Sequence, residues 1–132
     1  MMINAYKQYR EDAVATATPE GLTLMLYDGL VKFIKQGKFF IERKDWEKAH
    51  KAIVRAQDIV EELNCTLNMD YEISTNLRSL YLYMKDRLVE ANIGKDSEIL
   101  DEVLVFAEEL RDTWKEAMRI AKSDVKYRQM RA

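Results

Sequence analysis

The stretch TPEGLTLMLYDGLVKF, residues 18–33, joins a helix-start signal to the densest apolar patterning in the chain. Thr18 supplies a hydroxyl that can accept from a free first-turn amide. Pro19 at the first helical position forfeits no hydrogen bond and presets φ, and Glu20 puts a negative charge beside the positive end of the helix dipole. From there Leu22, Met25, Leu26, Gly29, Leu30, Phe33, Gly37 and Phe40 fall three or four apart and share one side of a helix. A second line, Leu24, Tyr27, Val31 and Ile34, runs along a different side. One stripe faces a core, but two need two neighbours. The first line is therefore read as core, and the second as a surface that meets a partner.

Working outward, the 132 residues suit one domain that buries a core without disulfides or metal. One proline and four glycines, against 33% charged and 48% hydrophobic residues, leave little turn chemistry for many short strands and favour long helices. A formal net charge of -2 provides no global field for nucleic acid or an anionic membrane. The one cysteine, Cys65, excludes an intrachain disulfide and reads as a small buried hydrophobe in a reduced compartment. No secretory signal and no membrane-spanning run is visible, so the expectation is a soluble cytoplasmic domain with no membrane insertion.

The first helix is predicted from Pro19 to about Arg43. A second follows the N-cap Asp45, with Trp46, Ala49, Ile53, Ala56, Val60, Leu63 and Leu67 at helical spacing to about Asn68. Asp70 caps a third, carried by Ile73, Leu77, Leu80, Met84, Leu88 and Ala91 and stopped near Ile93 by Gly94 in a left-handed conformation. The fourth starts after Asp96 and follows Ile99, Val103, Phe106, Leu110, Trp114 and Ala117 to roughly Lys122. Residues 123–132 lose the apolar pattern, turn basic and read as a fraying tail. Residues 1–17 read as an arm carrying Ile3, Tyr6 and Tyr9 without a helical stripe. Short connections make sequential helices antiparallel neighbours. The predicted fold is thus all-α: a single domain, residues 1–132, built as an up-down-up-down four-helix bundle with an N-terminal arm.

Catalytic and metal chemistry find no support. His50 is the only histidine, and Cys65 lies roughly 22 Å from it along one helix at 1.5 Å per residue, too far for a dyad. Glu47 and His50 make one Glu-x-x-His step, but bundle di-iron sites need a second on another helix. Glu47, Lys48, His50 and Lys51 read instead as a polar face. No phosphate loop, zinc spacing or dinucleotide fingerprint occurs, so no enzyme activity, cofactor or metal is expected.

What remains is an apolar surplus. Tyr81, Leu82, Tyr83, Val89 and Ile93 on the third helix, with Leu104 and Val105 on the fourth, exceed what a simple bundle buries. Amphipathic aromatics of this kind suit an interface, and a groove between helices suits an amphipathic partner helix. The partner-binding candidates are Leu24, Tyr27, Val31, Tyr81 and Tyr83, with Ile3, Tyr6 and Tyr9 covering part of the groove when it is empty.

The segments NAYKQY (4–9), TATPEGLTLMLYDGLVKFI (16–34), QDIVEELNCTLNMDYEIS (57–74), LYLYMKDRLVEANIGKD (80–96) and ELRDTWKEA (109–117) together resemble the flagellin-specific export chaperones of the FliS family. The resemblance implies a helical bundle in the bacterial cytoplasm that binds the C-terminal segment of flagellin, prevents its premature polymerisation and assists flagellar type III export. The flagellar export gate is a further implied partner, and the NAYKQY region is implied to regulate these contacts. The alternative from the residues alone is a structural or adaptor bundle acting through self-association or another helical partner.

Overall fold

The computed structural model describes residues 18–131. The arm, with Ile3, Tyr6 and Tyr9, lies outside the described residues. Four helices follow in order: α1 (Pro19–Glu42), α2 (Trp46–Cys65), α3 (Glu72–Gly94) and α4 (Ser97–Arg131). The all-α class is as predicted, and no strand occurs among the described residues.

Pairwise contacts fix the arrangement. Between α1 and α2, Gly37 meets Ile53 while Gly29 meets Ile59. Between α2 and α3, His50 pairs with Asn92, Glu61 with Lys85 and Asn64 with Arg78. Lys38 pairs with Asp101 and Glu20 with Trp114 across α1 and α4, and Arg87 meets Glu102 across α3 and α4. In α1/α2, α2/α3 and α1/α4, residue numbers rise on one helix as they fall on the other, so these neighbours are antiparallel and α1 closes the ring against α4. Leu30 and Ile34, Ile53 and Val60, Met84 and Leu88, and Leu100 and Val103 contribute fully buried side chains from each helix in turn.

The helix ends follow local chemistry. Thr18 Oγ1 accepts from the Gly21 amide at 3.1 Å, Asp45 Oδ1 from Lys48 at 3.2 Å, and Asp96 Oδ1 from Glu98 at 2.9 Å. Two ends differ from expectation. Asp70 does not cap α3, whose N-cap is Tyr71 without a side-chain bond; Ser74 Oγ instead donates to the Asn68 carbonyl at 2.6 Å and ties the first turn back to the loop. Gly94 remains helical, and the left-handed residue is Lys95 at φ 48°. Its Nζ donates to the Asn92 carbonyl at 2.6 Å and to Asn92 Oδ1 at 2.7 Å, so the ammonium caps the helix end and offsets the steric cost.

The largest departure is α4, which runs without a break to Arg131 rather than fraying after Lys122. Residues 119–130 are exposed throughout, so propensity carries this turn sequence: Ala121, Lys122, Lys126, Arg128, Gln129 and Met130 are good helix formers, and no glycine or proline interrupts them. Cys65, expected inside, is exposed at the last residue of α2. Trp46 and Ile73, read as core, are also exposed, each sitting at a helix start beyond the reach of the neighbouring helices.

A candidate partner-binding groove

The two lines of α1 do not divide as core and surface. The buried residues of α1 are Tyr27, Leu30, Val31, Ile34 and Gly37, drawn from both. Of the proposed contact residues, Tyr27 and Val31 are 4% exposed and Tyr81 is 2% exposed, which removes them from any surface of the closed bundle. Their reading as partner pockets is corrected here: they are core. Tyr27 and Tyr81 are buried as a pair, their hydroxyls 2.5 Å apart across α1 and α3. Burial raises both phenol pKa values; the bond to Tyr81 acts in the opposite direction on Tyr27, while the bond to Tyr27 raises Tyr81 further. In this single bond one phenol donates and the other accepts, so each buried hydroxyl has the other as its partner.

Leu24 is half-buried and Tyr83 is 46% exposed. The Tyr83 ring meets Phe106 edge-on at 6.2 Å, and its hydroxyl donates to Glu102 Oε1 at 2.5 Å. That bond, followed by the Arg87 guanidinium, holds the Glu102 carboxyl below its ordinary range, while the bond to Glu102 raises the Tyr83 phenol against the opposing charge of Arg87. Tyr83 therefore presents a fixed ring on the outer side of α3 and α4, where Leu82, Val89, Ile93 and Val105 are also exposed. The expected surface surplus is real there, apart from Tyr81, which is core, and Leu104, which is partly buried against it.

Of the first α1 line, expected inside, Leu30 and Gly37 are buried, whereas Leu22, Met25, Leu26, Gly29, Phe33 and Phe40 border an open groove against α2. Leu22, Met25, Leu26 and Gly29 on α1 and Ile59 on α2 surround a cleft of about 600 Å³. Gly29 is at its floor, because a Cβ there would stand 3.2 Å from Ile59 Cδ1, closer than ordinary packing allows. Phe33 borders this cleft and two more that continue it towards the α1–α2 turn, one of about 500 Å³ with Lys51, Val54 and Arg55, the other of about 170 Å³ with Phe40 and Lys48. From Leu22 to Phe40 the groove runs about 27 Å at 1.5 Å per residue. Cations sit over its aromatic rings: the Arg55 guanidinium carbon lies 5.6 Å from the Phe33 centroid, Lys32 Nζ 5.3 Å from the same centroid and Lys48 Nζ 5.7 Å from that of Phe40.

Sequence reasoning missed this groove because the apolar line of α1 was assigned wholly to the core. The signal was present in Gly29 and Gly37, two glycines each about one turn from Phe33, which mark where α2 comes close and where neighbouring side chains must spread apart. The polar face of α2 is as expected, with Glu47, Lys48, His50 and Lys51 exposed. No helix among the described residues is long and apolar enough to cross a membrane.

Among the described residues the groove is an open apolar and cationic surface, and similarity to known proteins points to a chaperone family. The family model described as "Flagellar protein FliS" matches residues 2–121. The chain is 43% identical over 121 residues to the flagellar secretion chaperone FliS of Bacillus subtilis, covering 92% of this chain and 91% of that protein. It is 34% identical over 118 residues to the flagellar secretion chaperone FliS of Salmonella typhimurium, covering 86% and 87%. A solved structure described as a flagellar chaperone from bacteria superposes with a TM-score of 0.72 at 16% identity, covering 90% of this chain and 98% of that one, which supports the fold. A family of secretion chaperones is a family of binding proteins, not of enzymes, and this chain belongs to it: it is a member of the FliS family of flagellar proteins.

Proposed function

We propose that this chain is a cytoplasmic chaperone that binds the C-terminal segment of flagellin, holds it along the groove between α1 and α2, and keeps it from polymerising until the flagellar export gate receives it. The observation that carries the reading is the groove itself: Leu22, Met25, Leu26, Phe33 and Ile59 leave apolar surface open on a bundle whose interior is otherwise closed. A channel about 27 Å long matches about 18 residues of helix, which is the size of segment that an i, i+3, i+4, i+7 stripe would dock. Names of the relatives supply the class of cargo, a flagellar export substrate.

Masking an apolar stripe needs area and reversibility. A client that is disordered when free and helical when held loses ordering entropy on binding, so its affinity stays moderate and release at the gate is cheap. Leu24 and Tyr83 extend the contact surface beyond the groove, and Ile3, Tyr6 and Tyr9 of the arm cover part of it in the free protein. Calorimetric titration with the flagellin C-terminal segment tests the reading. A 1:1 complex with a negative heat-capacity change and a gain of helix in the peptide is expected; no complex, together with concentration-dependent self-association, would favour the adaptor alternative.

A further inference from the structure

The groove is not uniform along its length, and its two halves ask for different chemistry. Towards the start of α1 the lining is Leu22, Met25, Leu26 and Ile59; beyond Phe33 it becomes aromatic and cationic, with Lys48, Lys51 and Arg55 on the α2 wall. Among the described residues, Arg55 forms no ion pair, and its guanidinium is held against Phe33 instead of a carboxylate. Lys51 and Lys48 reach only Glu47 at 3.3 Å and Asp45 at 3.7 Å, exposed pairs one turn away on the same helix that contribute little and exchange readily. Asp58 is the one acidic residue bordering these two clefts. Three cations against one carboxylate, over two aromatic rings, make a local field that the chain's overall charge of -2 conceals.

We propose that the segment held between α1 and α2 is an amphipathic helix with carboxylates clustered at one end, and that Lys51 and Arg55 receive them. This rests on the groove being the client site. Apolar side chains of the segment lie over Leu26 and Ile59, and its acidic end lies over Phe33 and Phe40 beside the cations. The polarity fixes which way along the groove the segment runs, since the reverse orientation puts its carboxylates onto Leu22 and Met25 without partners. The planar guanidinium of Arg55, its carbon 5.6 Å from the Phe33 ring centroid, can offer two parallel N–H donors to a carboxylate, which gives direction as well as attraction.

Two synthetic peptides of equal length and equal apolar stripe, one with three Glu at one end and one with Gln in their place, test this by calorimetry against the full chain. The flagellin C-terminal segment serves as a third ligand. The Glu peptide is expected to bind about tenfold tighter at low salt, and about 0.5 M salt should erase the difference. In Lys51→Glu/Arg55→Glu the preference should vanish, and a peptide with Lys in place of the three Glu should regain the lost affinity. Lys35→Glu, an exposed change on α1 outside the groove, should leave it intact. Both substituted groove positions are exposed, and circular dichroism checks that the fold survives. Equal affinity of the Glu and Gln peptides for the unsubstituted chain would overturn the acidic-end proposal while leaving the groove as client site; failure of all three ligands to bind would overturn the groove reading itself. Competition by a single-stranded oligonucleotide as effective as the Glu peptide would also overturn it, by making the cations a phosphate site.

Discussion

At the scale of single residues, the Tyr27–Tyr81 pair is where a polar contact and the core depend on each other. Each hydroxyl is buried, and each is the other's partner at 2.5 Å. Tyr27→Phe leaves the Tyr81 hydroxyl desolvated and alone, and should cost about 1–3 kcal/mol in urea unfolding; the double change to Phe should cost clearly less than the two single changes added together. Costs that simply add would show that the hydroxyls do not interact in solution. The pair also sets a pH limit. Burial raises both phenols above the ordinary tyrosine value of about 10, so the unfolded chain releases these protons first. Their contribution is full below about pH 10 and is lost as pH rises above it, and the alkaline side of the stability profile should fall less steeply in the double Phe variant. Leu30, fully buried, should cost about 2–5 kcal/mol on change to Ala, whereas half-buried Leu26 should cost less and act chiefly on binding.

At the scale of elements, four helices were legible because their starts and apolar spacing are local: Thr18 and Asp45 accept from first-turn amides as read from the sequence, and Asp96, read as the start of the fourth helix, accepts from Glu98. The facing of α1 was not legible. Its apolar residues cover more than half of the helix circumference, so spacing alone cannot say whether Leu26 and Phe33 or Tyr27 and Val31 point inward. The answer is decided by the neighbours, through the close approach of Ile53 and Leu100 at Gly37, where a Cβ would stand 3.1 and 3.3 Å away. Gly37→Val should therefore lower stability by about 1–3 kcal/mol through overpacking, and a neutral result in thermal melts would place α2 further off. The length of α4 was misread for a different reason. Loss of an apolar stripe signals loss of packing, not loss of helix, and propensity keeps residues 123–131 helical although their side chains up to Met130 are exposed. Removing residues 123–132 should reduce the far-ultraviolet helical signal in proportion while leaving the midpoint of thermal unfolding nearly unchanged.

At the scale of the whole molecule, an antiparallel ring of helices closes a core of mostly aliphatic residues and leaves apolar surface open in a long groove along the α1–α2 seam, besides the exposed residues of α3 and α4. The proposed function rests on that division, because a chaperone for an amphipathic segment must offer apolar area without losing its own fold. Phe33 is the junction of the groove, bordering its apolar cleft and both of its cationic ones. It is half-buried and packs against the core without being enclosed by it. Calorimetric titration of the flagellin C-terminal segment into the intact chain and into Phe33→Ser tests the central claim most directly. The account predicts a 1:1 complex with the intact chain and at least about a tenfold loss of affinity in the variant, with its helical signal retained. Equal affinity for the two proteins would contradict it.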